Sequence, residues 1–291
     1  MLNYTLITPP AIEPVTLAQA HAQLRLDTGF TADDTYIAGL ISAAREVAEK
    51  YTRRAFFNQT WVLSLDAFPA WNFRNGTVNP SERKGWPFYS TYWDPLAIRL
   101  PKPRCVRVIS ITYLDLTNTV QTLSPSSYAV DVTSEPARIV PMPGTTWPTT
   151  QLYLPGSVQV TFEAASFVQQ VNESFTVPAS PGPYTYTLLQ TPQTAVDTIV
   201  DGDGNGNVIT GWSASNGVLT FPAASAGASY TATYYIPRCP QSIQSAILLL
   251  VSHFYENRLP VVGQVLSEVP MSTKFLLDFH LFEQFTFETG Y

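Results

Sequence analysis

Residues 33–54, DDTYIAGLISAAREVAEKYTRR, decide the fold class because their apolar side chains recur at helical spacing. Positions three and four apart fall on one face of a helix. That face comprises Ile37, Leu40, Ile41, Ala44, Ala48 and Tyr51. Arg45 and Glu49 are four residues apart, which predicts a modest ion pair on the helix surface. Such a helix is marginal alone, so its apolar face must pack on other elements.

Three further segments have helical patterns. Residues 241–257 carry a second long apolar face, formed by Ile243, Ala246, Ile247, Leu250, Val251 and Phe254. Near the N-terminus, Thr16 and Gln19 have the spacing of a capping box, which predicts a short helix ending at about Leu24. Pro270 opens another short helix within PMSTKFLLDFHLF. We expect the two long helices to pack together as the body of the protein.

After residue 59 the pattern changes to the alternation typical of strands. In TWVLSLDAF, Trp61, Leu63 and Leu65 alternate with other side chains, which predicts a strand with one buried face. Similar short runs follow between residues 97 and 164, separated by turn residues. The sequence therefore predicts an α+β fold, in which helices near 33–54 and 241–257 pack with a small antiparallel sheet.

Residues 166–236 have a different composition, rich in Ser, Thr, Gly, Pro and Tyr and almost without basic residues. Several short strand patterns and the turn signal Asn216-Gly217 indicate an all-β module. Helical sequence of another kind follows it. We therefore predict that residues 1–165 and 237–291 form the core domain, that 166–236 is an inserted module, and that 271–291 is a C-terminal docking segment.

The long stretch between Pro69 and Pro95 lacks a strand or helix pattern but is rich in aromatic residues. A loop of this length in a compact domain is usually functional or disordered, and the aromatic content argues against disorder. Two interpretations stay open: an arm ordered against a neighbouring subunit, or a loop folded on its own core. In the first, the contact residues are Trp71, Phe73, Trp86, Tyr92 and Trp93.

Composition points to association rather than to nucleic-acid recognition. Charged residues make up 13% of the chain and aromatic residues another 13%, and the net charge is −6. Few charges and many aromatics suit surfaces that partner chains cover. The densest basic stretch, Arg99, Lys102, Arg104 and Arg107, is interpreted as a solvated strand face. No apolar run is long enough to span a membrane, and no signal peptide is recognised.

The search for chemistry finds no convincing site. Residues 201–207, DGDGNGN, resemble the start of a calcium loop, but the twelfth position is Trp212 instead of a carboxylate, so we interpret them as a turn. The three histidines are scattered, and Cys105 and Cys239 lack metal-ligand spacing and are expected to be free thiols. Catalytic motifs are not found. We predict no enzyme activity, no metal site and no cofactor.

Taken in order, these segments resemble the head–tail connector (adaptor) family of long-tailed bacteriophages. The segments are PVTLAQAHAQLRLD, DDTYIAGLISAAREVAEKYTRRAF, NQTWVLSLDAFP, IRLPKPRCVRVISITYLD, IQSAILLLVSHFYENR and EVPMSTKFLLDFHLF. The resemblance covers most of the chain outside 166–236. Three features depart from it: the inserted module, the long aromatic stretch, and His280 at a position where the family often carries Arg.

The resemblance implies a non-enzymatic virion protein that forms a ring, usually dodecameric, beneath the portal. Such a ring lies in the neck between capsid and tail, extends the DNA channel and supports the stopper or tail. The implied partners are the portal, a stopper or tail-completion protein and other copies of the chain, with DNA passing through unrecognised and assembly in the host cytoplasm. We expect the C-terminal segment to dock on the portal through Phe275, Leu276, Phe279, Phe282, Phe285 and Phe287.

Two other functions compete with this one. The inserted module carries Tyr184, Tyr186, Trp212, Tyr230, Tyr234 and Tyr235. As an exposed aromatic platform it would bind sugars and make the chain a tail-associated receptor- or glycan-binding protein. A hydrolase with a dispersed active site is the third possibility.

Overall fold

The computed structural model describes residues 3–27, 29–69, 96–150, 154–177, 184–190, 198–201, 213–215, 218–221, 229–257 and 271–282. Within these ranges the chain forms four α-helices and several small antiparallel sheets. The predicted α+β class is confirmed. The Asp201–Asn207 turn and the aromatic contacts expected at Trp71, Phe73, Trp86, Tyr92 and Trp93 lie wholly or largely outside the described residues.

The helices are α1 (Leu17–Leu24), α2 (Asp34–Thr52), α3 (Gln241–Glu256) and α4 (Met271–Asp278). The capping box at the start of α1 is present. The Gln19 N–H donates to Thr16 Oγ1 over 3.2 Å, and the Thr16 N–H donates to Gln19 Oε1 over 2.8 Å. The short and long helices expected from the sequence are therefore observed close to their predicted bounds.

The helical core lies where the apolar faces of α2 and α3 meet. From α2 it includes Ile37, Ile41, Ala44 and Ala48, all buried. From α3 it includes Ile243, Ala246, Ile247, Leu250 and Val251. Ala20 of α1 and Leu277 of α4, both at 0% exposure, complete the same cluster. The four helices thus share one core.

The pairing of Arg45 with Glu49 is observed, but the prediction that it lies on the surface is wrong. Their relative exposures are 5% and 7%. Arg45 Nη1 donates to Glu49 Oε2 over 2.8 Å, and Arg45 Nε donates to Glu13 Oε2 over 2.9 Å. The chain after α2 folds back over this pair and supplies further donors, so the pair is buried. Sequence spacing alone does not reveal this covering segment.

A five-stranded antiparallel sheet packs beside the helices. Its order is β1 (Asn3–Thr8), β2 (Gln59–Leu65), β8 (Val158–Ala164), β4 (Cys105–Leu114) and β5 (Val120–Thr122). Leu63, Ile111, Val158, Val160 and Phe162 are all at 0% exposure. They belong to a second core cluster on one face of this sheet.

A smaller sheet covers that face. It comprises β3 (Ile98–Arg99), β7 (Arg138–Pro141) and β6 (Tyr128–Asp131), in that order. Ile98, Tyr128 and Ile139 contribute its buried side chains to the shared cluster. The arrangement is a small sandwich of two sheets around one shared core.

The sequence analysis did not predict β1. Residues 3–8 lack the alternation of buried and exposed side chains, because all six are exposed at the edge of the sheet. Hydrogen bonds to β2 define the strand, with Tyr4 opposite Leu63 and Leu6 opposite Trp61.

The interpretation of the basic stretch as a solvated face is wrong for Lys102, which is only 8% exposed. Its ammonium lies 4.7 Å from the centroid of the Trp61 ring and 5.8 Å from that of Tyr4. Burial lowers the pKa of Lys102, and the negative charge of Glu49 opposes this effect. Arg107 forms a two-point ion pair with Glu163. These residues serve local structure, and they do not form a track for phosphates.

Two three-stranded sheets occupy the region of the expected module. One has the order β10 (Tyr184–Thr187), β13 (Val218–Phe221), β12 (Ser213–Ser215), and the other β11 (Thr198–Asp201), β14 (Ser229–Pro237), β9 (Val168–Thr176). They share a third core cluster centred on Ile199, Leu219 and Phe221. Val168 pairs with Pro237, so the chain enters and leaves at adjacent positions. An inserted module requires this geometry, and the domain division itself stays a prediction.

None of the helices in the described ranges is long and apolar enough to cross a membrane.

Candidate partner-docking surface

Helix α4 and the turn that follows it present a stripe of exposed apolar side chains. Met271, Phe275 and Phe279 are 87%, 63% and 68% exposed. They are spaced four residues apart, so they lie along one side of the helix. The rings of Phe275 and Phe279 meet edge to face at a centroid separation of 5.0 Å. We call these three residues the docking stripe.

The opposite side of α4 is fixed to the helical body. Thr273 and Leu277 are both at 0% exposure, and Leu276 packs against the helical core. Helix α4 contacts both α3 and α2. A single short helix therefore has a buried side that holds it in place and an apolar side that faces outward, and this division follows from the helical period.

The chain after α4 is held by the end of α2. The Phe282 N–H donates to Thr52 O over 3.0 Å, and Arg54 Nε donates to His280 O over 2.9 Å. The Arg54 guanidinium also lies 5.6 Å from the centroid of the Phe282 ring. Arg54 Nη2 continues to Glu135 over 3.2 Å. One arginine thus connects the C-terminal segment, the end of α2 and the turn before β7.

Two side-chain hydrogen bonds complete this attachment. The Tyr51 hydroxyl donates to Asp278, and this bond raises the pKa of Tyr51 to about 12. Ser242 Oγ and His280 Nε2 are 2.8 Å apart, which joins the first turn of α3 to the C-terminal segment. Burial, with a smaller contribution from the positive charge of Arg54, lowers the pKa of His280. The neutral imidazole is therefore favoured at this position.

The structure separates the six predicted docking residues into three groups. Phe275 and Phe279 are exposed and belong to the docking stripe. Leu276 is half-buried and Phe282 is 8% exposed, so both pack on the chain's own body. Phe285 and Phe287 lie outside the described residues. Docking on the portal stays a prediction. Of the six residues, Phe275 and Phe279 are the two that the structure describes as exposed.

Met271 is the member of the docking stripe that the sequence analysis did not select. The sequence could have predicted that Met271 shares a side of the helix with Phe275 and Phe279, because the three positions are four residues apart. Phe282 is aromatic like Phe275 and Phe279, but it is three positions after Phe279 and buried, so aromatic character alone does not identify the exposed side.

The tyrosines of the expected module do not form an exposed platform where the structure describes them. Tyr230 and Tyr234 are 5% and 0% exposed. Tyr186 stacks on Phe175 with a centroid separation of 4.1 Å. Trp212 lies outside the described residues. Tyr186, Tyr230 and Tyr234 therefore belong to the core of the module, so they do not contribute to an exposed platform for glycans.

A buried carboxylate explains why those tyrosines point inward. Glu173, 6% exposed, accepts hydrogen bonds from the Tyr186 hydroxyl over 2.7 Å and the Tyr234 hydroxyl over 2.6 Å. The Leu189 N–H also donates to both of its oxygens over 3.1 Å. The pKa values of both tyrosines are raised to about 12, for Tyr186 chiefly by this bond and for Tyr234 chiefly by burial.

Among the described residues, no group of three or more His, Cys, Asp or Glu side chains is placed so that it could hold a metal ion. Burial raises the pKa of both Cys105 and Cys239 to about 12, so both thiols stay protonated and are weak nucleophiles.

A pocket of about 310 Å³ lies between β1, the end of β2 and the turn at residues 155–156. Its lining includes one acid, Asp66, which accepts a hydrogen bond from the Gly156 N–H over 3.1 Å. Among the described lining residues, Asp66 is the one titratable side chain.

No protein-family model and no curated protein matches this chain. Similar solved structures come from gene transfer agent (GTA) particles. A chain of the neck of an empty GTA particle, computed with C6 symmetry, is 16% identical with a TM-score of 0.49, covering 96% of this chain and 94% of that one. A chain of the native GTA virion is also 16% identical, with a TM-score of 0.48 and coverage of 96% and 93%.

A chain of the native GTA neck, computed with C12 symmetry, is 14% identical with a TM-score of 0.44 and coverage of 96% and 94%. At these identities and scores the likeness assigns no function to the present chain.

Proposed function

We propose that this chain is a head–tail connector of a long-tailed bacteriophage. It forms a ring beneath the portal in the neck of the virion, extends the DNA channel and supports the stopper or tail. Assembly takes place in the host cytoplasm. Its role is structural, without catalysis or a cofactor.

The docking stripe is the observation that carries this proposal. Met271, Phe275 and Phe279 are among the most exposed large apolar side chains of the described residues. They lie in the segment EVPMSTKFLLDFHLF, the part of the sequence that resembles the C-terminal end of connector proteins. Aromatic side chains that fill partner pockets typically supply most of the energy of an interface. The stripe therefore supports docking of α4 on the portal.

The attachment of α4 to the body supports the same proposal. Buried Leu277 and Thr273, together with the bonds of Arg54 and Tyr51, hold the stripe in one orientation before a partner arrives. A surface that is ordered in advance loses less conformational freedom on binding. Docking through a fixed helix side needs no refolding of the segment.

Charge supports a role at a DNA channel. The chain has a net charge of −6. In its densest basic stretch, Arg107 is engaged with Glu163, Arg104 with a backbone carbonyl and Lys102 with an aromatic ring. Because lysine and arginine contacts with phosphates drive non-specific DNA binding, a chain of this kind lets DNA pass without retaining it.

A paired binding experiment tests the proposal. The double variant Phe275→Ser/Phe279→Ser removes both rings of the docking stripe, and Leu189→Ser serves as the control because Leu189 is 82% exposed in the module. Loss of an interface hot spot costs about 2 kcal/mol or more, so we expect affinity for the portal ring of the same phage to fall at least ~30-fold. The control should bind like the wild-type chain. Unchanged binding of the double variant contradicts the proposal.

A further inference from the structure

Among the described residues, no strand pairs with the outer edge of β1. The strand hydrogen-bonds with β2 on one side, and on its other side the five-stranded sheet ends. All six of its residues are exposed. An edge strand of this length offers a row of unpaired N–H and C=O groups to another strand.

The sequence of β1 does not protect that edge. NYTLIT contains neither a charged residue nor a proline, the two side-chain features that commonly block edge pairing. Tyr4, Leu6 and Ile7 are 41%, 40% and 57% exposed. An exposed, uncharged and partly apolar edge promotes pairing with other chains and aggregation unless another strand covers it.

The same sheet offers a second edge of similar character. Its last strand, β5, has the sequence VQT, and all three residues are exposed, with Val120 at 67%. Each neighbouring pair in the order β1, β2, β8, β4, β5 is antiparallel. Consequently β1 and β5 run in the same direction. Two copies set side by side in the same orientation bring β1 of one against β5 of the other as a parallel pair.

We propose that β1 of one copy pairs with β5 of the next copy, so that the five-stranded sheet continues across the interface between subunits. The occupant is a second copy because one sheet carries both edges and neither β1 nor β5 contains a charged residue. The Asp115 carboxylate beside β5 is already engaged by the Gln121 side chain over 2.8 Å. The contact uses two different surfaces and is heterologous, which is the type that generates a ring when the rotation closes. Ring closure beneath a portal rests on the proposed function; the strand pairing does not.

Packing inside one copy fixes β1 independently of the proposed neighbour. The Tyr4 ring meets Trp61 edge to face at a centroid separation of 5.6 Å, and the Lys102 ammonium lies over Trp61. Substitutions on the exposed edge therefore test pairing between copies without removing the contacts that hold the strand.

Cross-linking tests the pairing directly. Thr5→Cys and Val120→Cys are made separately in a Cys239→Ser background, where the remaining Cys105 is only 3% exposed. A short bis-maleimide is added to each variant alone and to an equimolar mixture, both in the isolated chain at high concentration and with the portal ring present. We expect cross-linked dimer in the mixture and not in either single variant. A mixture of Thr5→Cys with Leu189→Cys is the matched control and should stay uncross-linked.

The outcomes separate this inference from the proposed function. Absence of the mixed product under both conditions overturns the β1–β5 pairing, and so does efficient cross-linking of Thr5→Cys with itself. Failure of the wild-type chain to bind the portal contradicts the proposed function, and the isolated-chain reaction then still decides the pairing.

A lysine substitution gives an independent readout. Leu6→Lys places a charge on the edge of β1, whereas Leu189→Lys places the same charge on the module. We expect Leu6→Lys to weaken self-association in sedimentation velocity at least ~10-fold, with thermal unfolding unchanged, because edge lysines oppose strand addition. Equal self-association of the two variants overturns the inference.

Discussion

At the scale of single residues, Glu49 joins the helical body to the sheet. Its Oε1 accepts from the Phe56 N–H over 2.8 Å and from Gln59 Nε2 over 2.7 Å, while its Oε2 accepts from Arg45. Gln59 begins β2, so one carboxylate links α2, the segment after it and the central strands. Burial raises the pKa of Glu49 despite these favourable bonds, which shows how strongly the site is removed from water.

Replacing Glu49 should destabilise the whole core. Glu49→Ala leaves Arg45, 5% exposed, with one of its carboxylate partners removed, and leaves the Phe56 N–H unpaired. Removing one partner of a buried ion pair costs ~3 kcal/mol or more. Glu46→Ala is the control, because the side chain of Glu46 is 72% exposed, and it should cost less than ~0.5 kcal/mol. Urea unfolding measures both values, and equal losses would refute the role given to Glu49.

His280 makes the attachment of the C-terminal segment sensitive to acid. Its pKa in the folded chain is lowered from the ordinary value of 6.5, so the unfolded chain binds the proton more readily. Stability from the neutral imidazole is therefore fully present above about pH 6.5 and is lost as the pH falls from there towards the folded pKa.

A comparison of the wild-type chain with His280→Asn isolates this effect. The wild-type chain should lose free energy of unfolding relative to the variant as the pH is lowered from 7.5 to 5, because other titrating groups cancel in the difference. Chemical unfolding at several pH values provides the measurement. A difference that stays constant over this range is incompatible with the lowered pKa.

At the scale of elements, α4 has one side buried in the helical core and one apolar side exposed. Leu277 is at 0% exposure and Phe275 is 63% exposed, although the two residues are only two positions apart. Deleting everything after Pro270 would remove part of the helical core together with the docking stripe. Point substitutions therefore separate folding from docking better than a truncation does.

Alanine substitutions on the two sides of α4 should differ in their effect on stability and on portal binding. Leu277→Ala leaves a cavity in the core and should lower the free energy of unfolding by ~3 kcal/mol. Phe275→Ala should change stability by less than ~0.5 kcal/mol, because the ring is mostly in water, yet weaken portal binding. Thermal unfolding and a binding titration on the same preparations distinguish them. A large stability loss in Phe275→Ala would show that its ring supports the fold instead.

The helices whose apolar residues recur at a regular spacing were predictable from the sequence. The faces of α2 and α3 are set by apolar spacing, and the α1 capping box by Thr16 and Gln19. Strand β1 was not predicted, and its six residues are all exposed, so neither face of the strand is marked by burial. The burial of Glu49 and Lys102 also escaped prediction. It depends on how other segments fold over them: residues 56–59 over Glu49, and Tyr4 and Trp61 over Lys102.

The docking surface was predictable only in part. Helical spacing identifies positions that share a side of α4, but it does not say which side packs on the body. Phe282 is buried because its N–H donates to Thr52 and its ring contacts Arg54, at the end of α2. These contacts join residues that are separated by more than half the sequence. Tyr186 and Tyr234 of the module point inward for a similar reason, because both of their hydroxyls donate hydrogen bonds to the buried Glu173.

At the scale of the whole molecule, two of the three core clusters each carry one of the proposed contact surfaces. The helical core carries the docking stripe, and the five-stranded sheet carries the β1 and β5 edges. These two surfaces belong to different core clusters, so one chain can bind a partner through the docking stripe while it pairs with its own copies through β1 and β5. This is the arrangement that the proposed connector role requires.

Native mass spectrometry of the chain mixed with the portal ring of the same phage tests the central claim most directly, with negative-stain imaging of the product. The connector account predicts a complex that contains a closed ring of this chain on the portal, and loss of that complex in Phe275→Ser/Phe279→Ser but not in Leu189→Ser. Absence of any portal complex with the wild-type chain, or binding to tail-tip proteins or glycans instead, would contradict it.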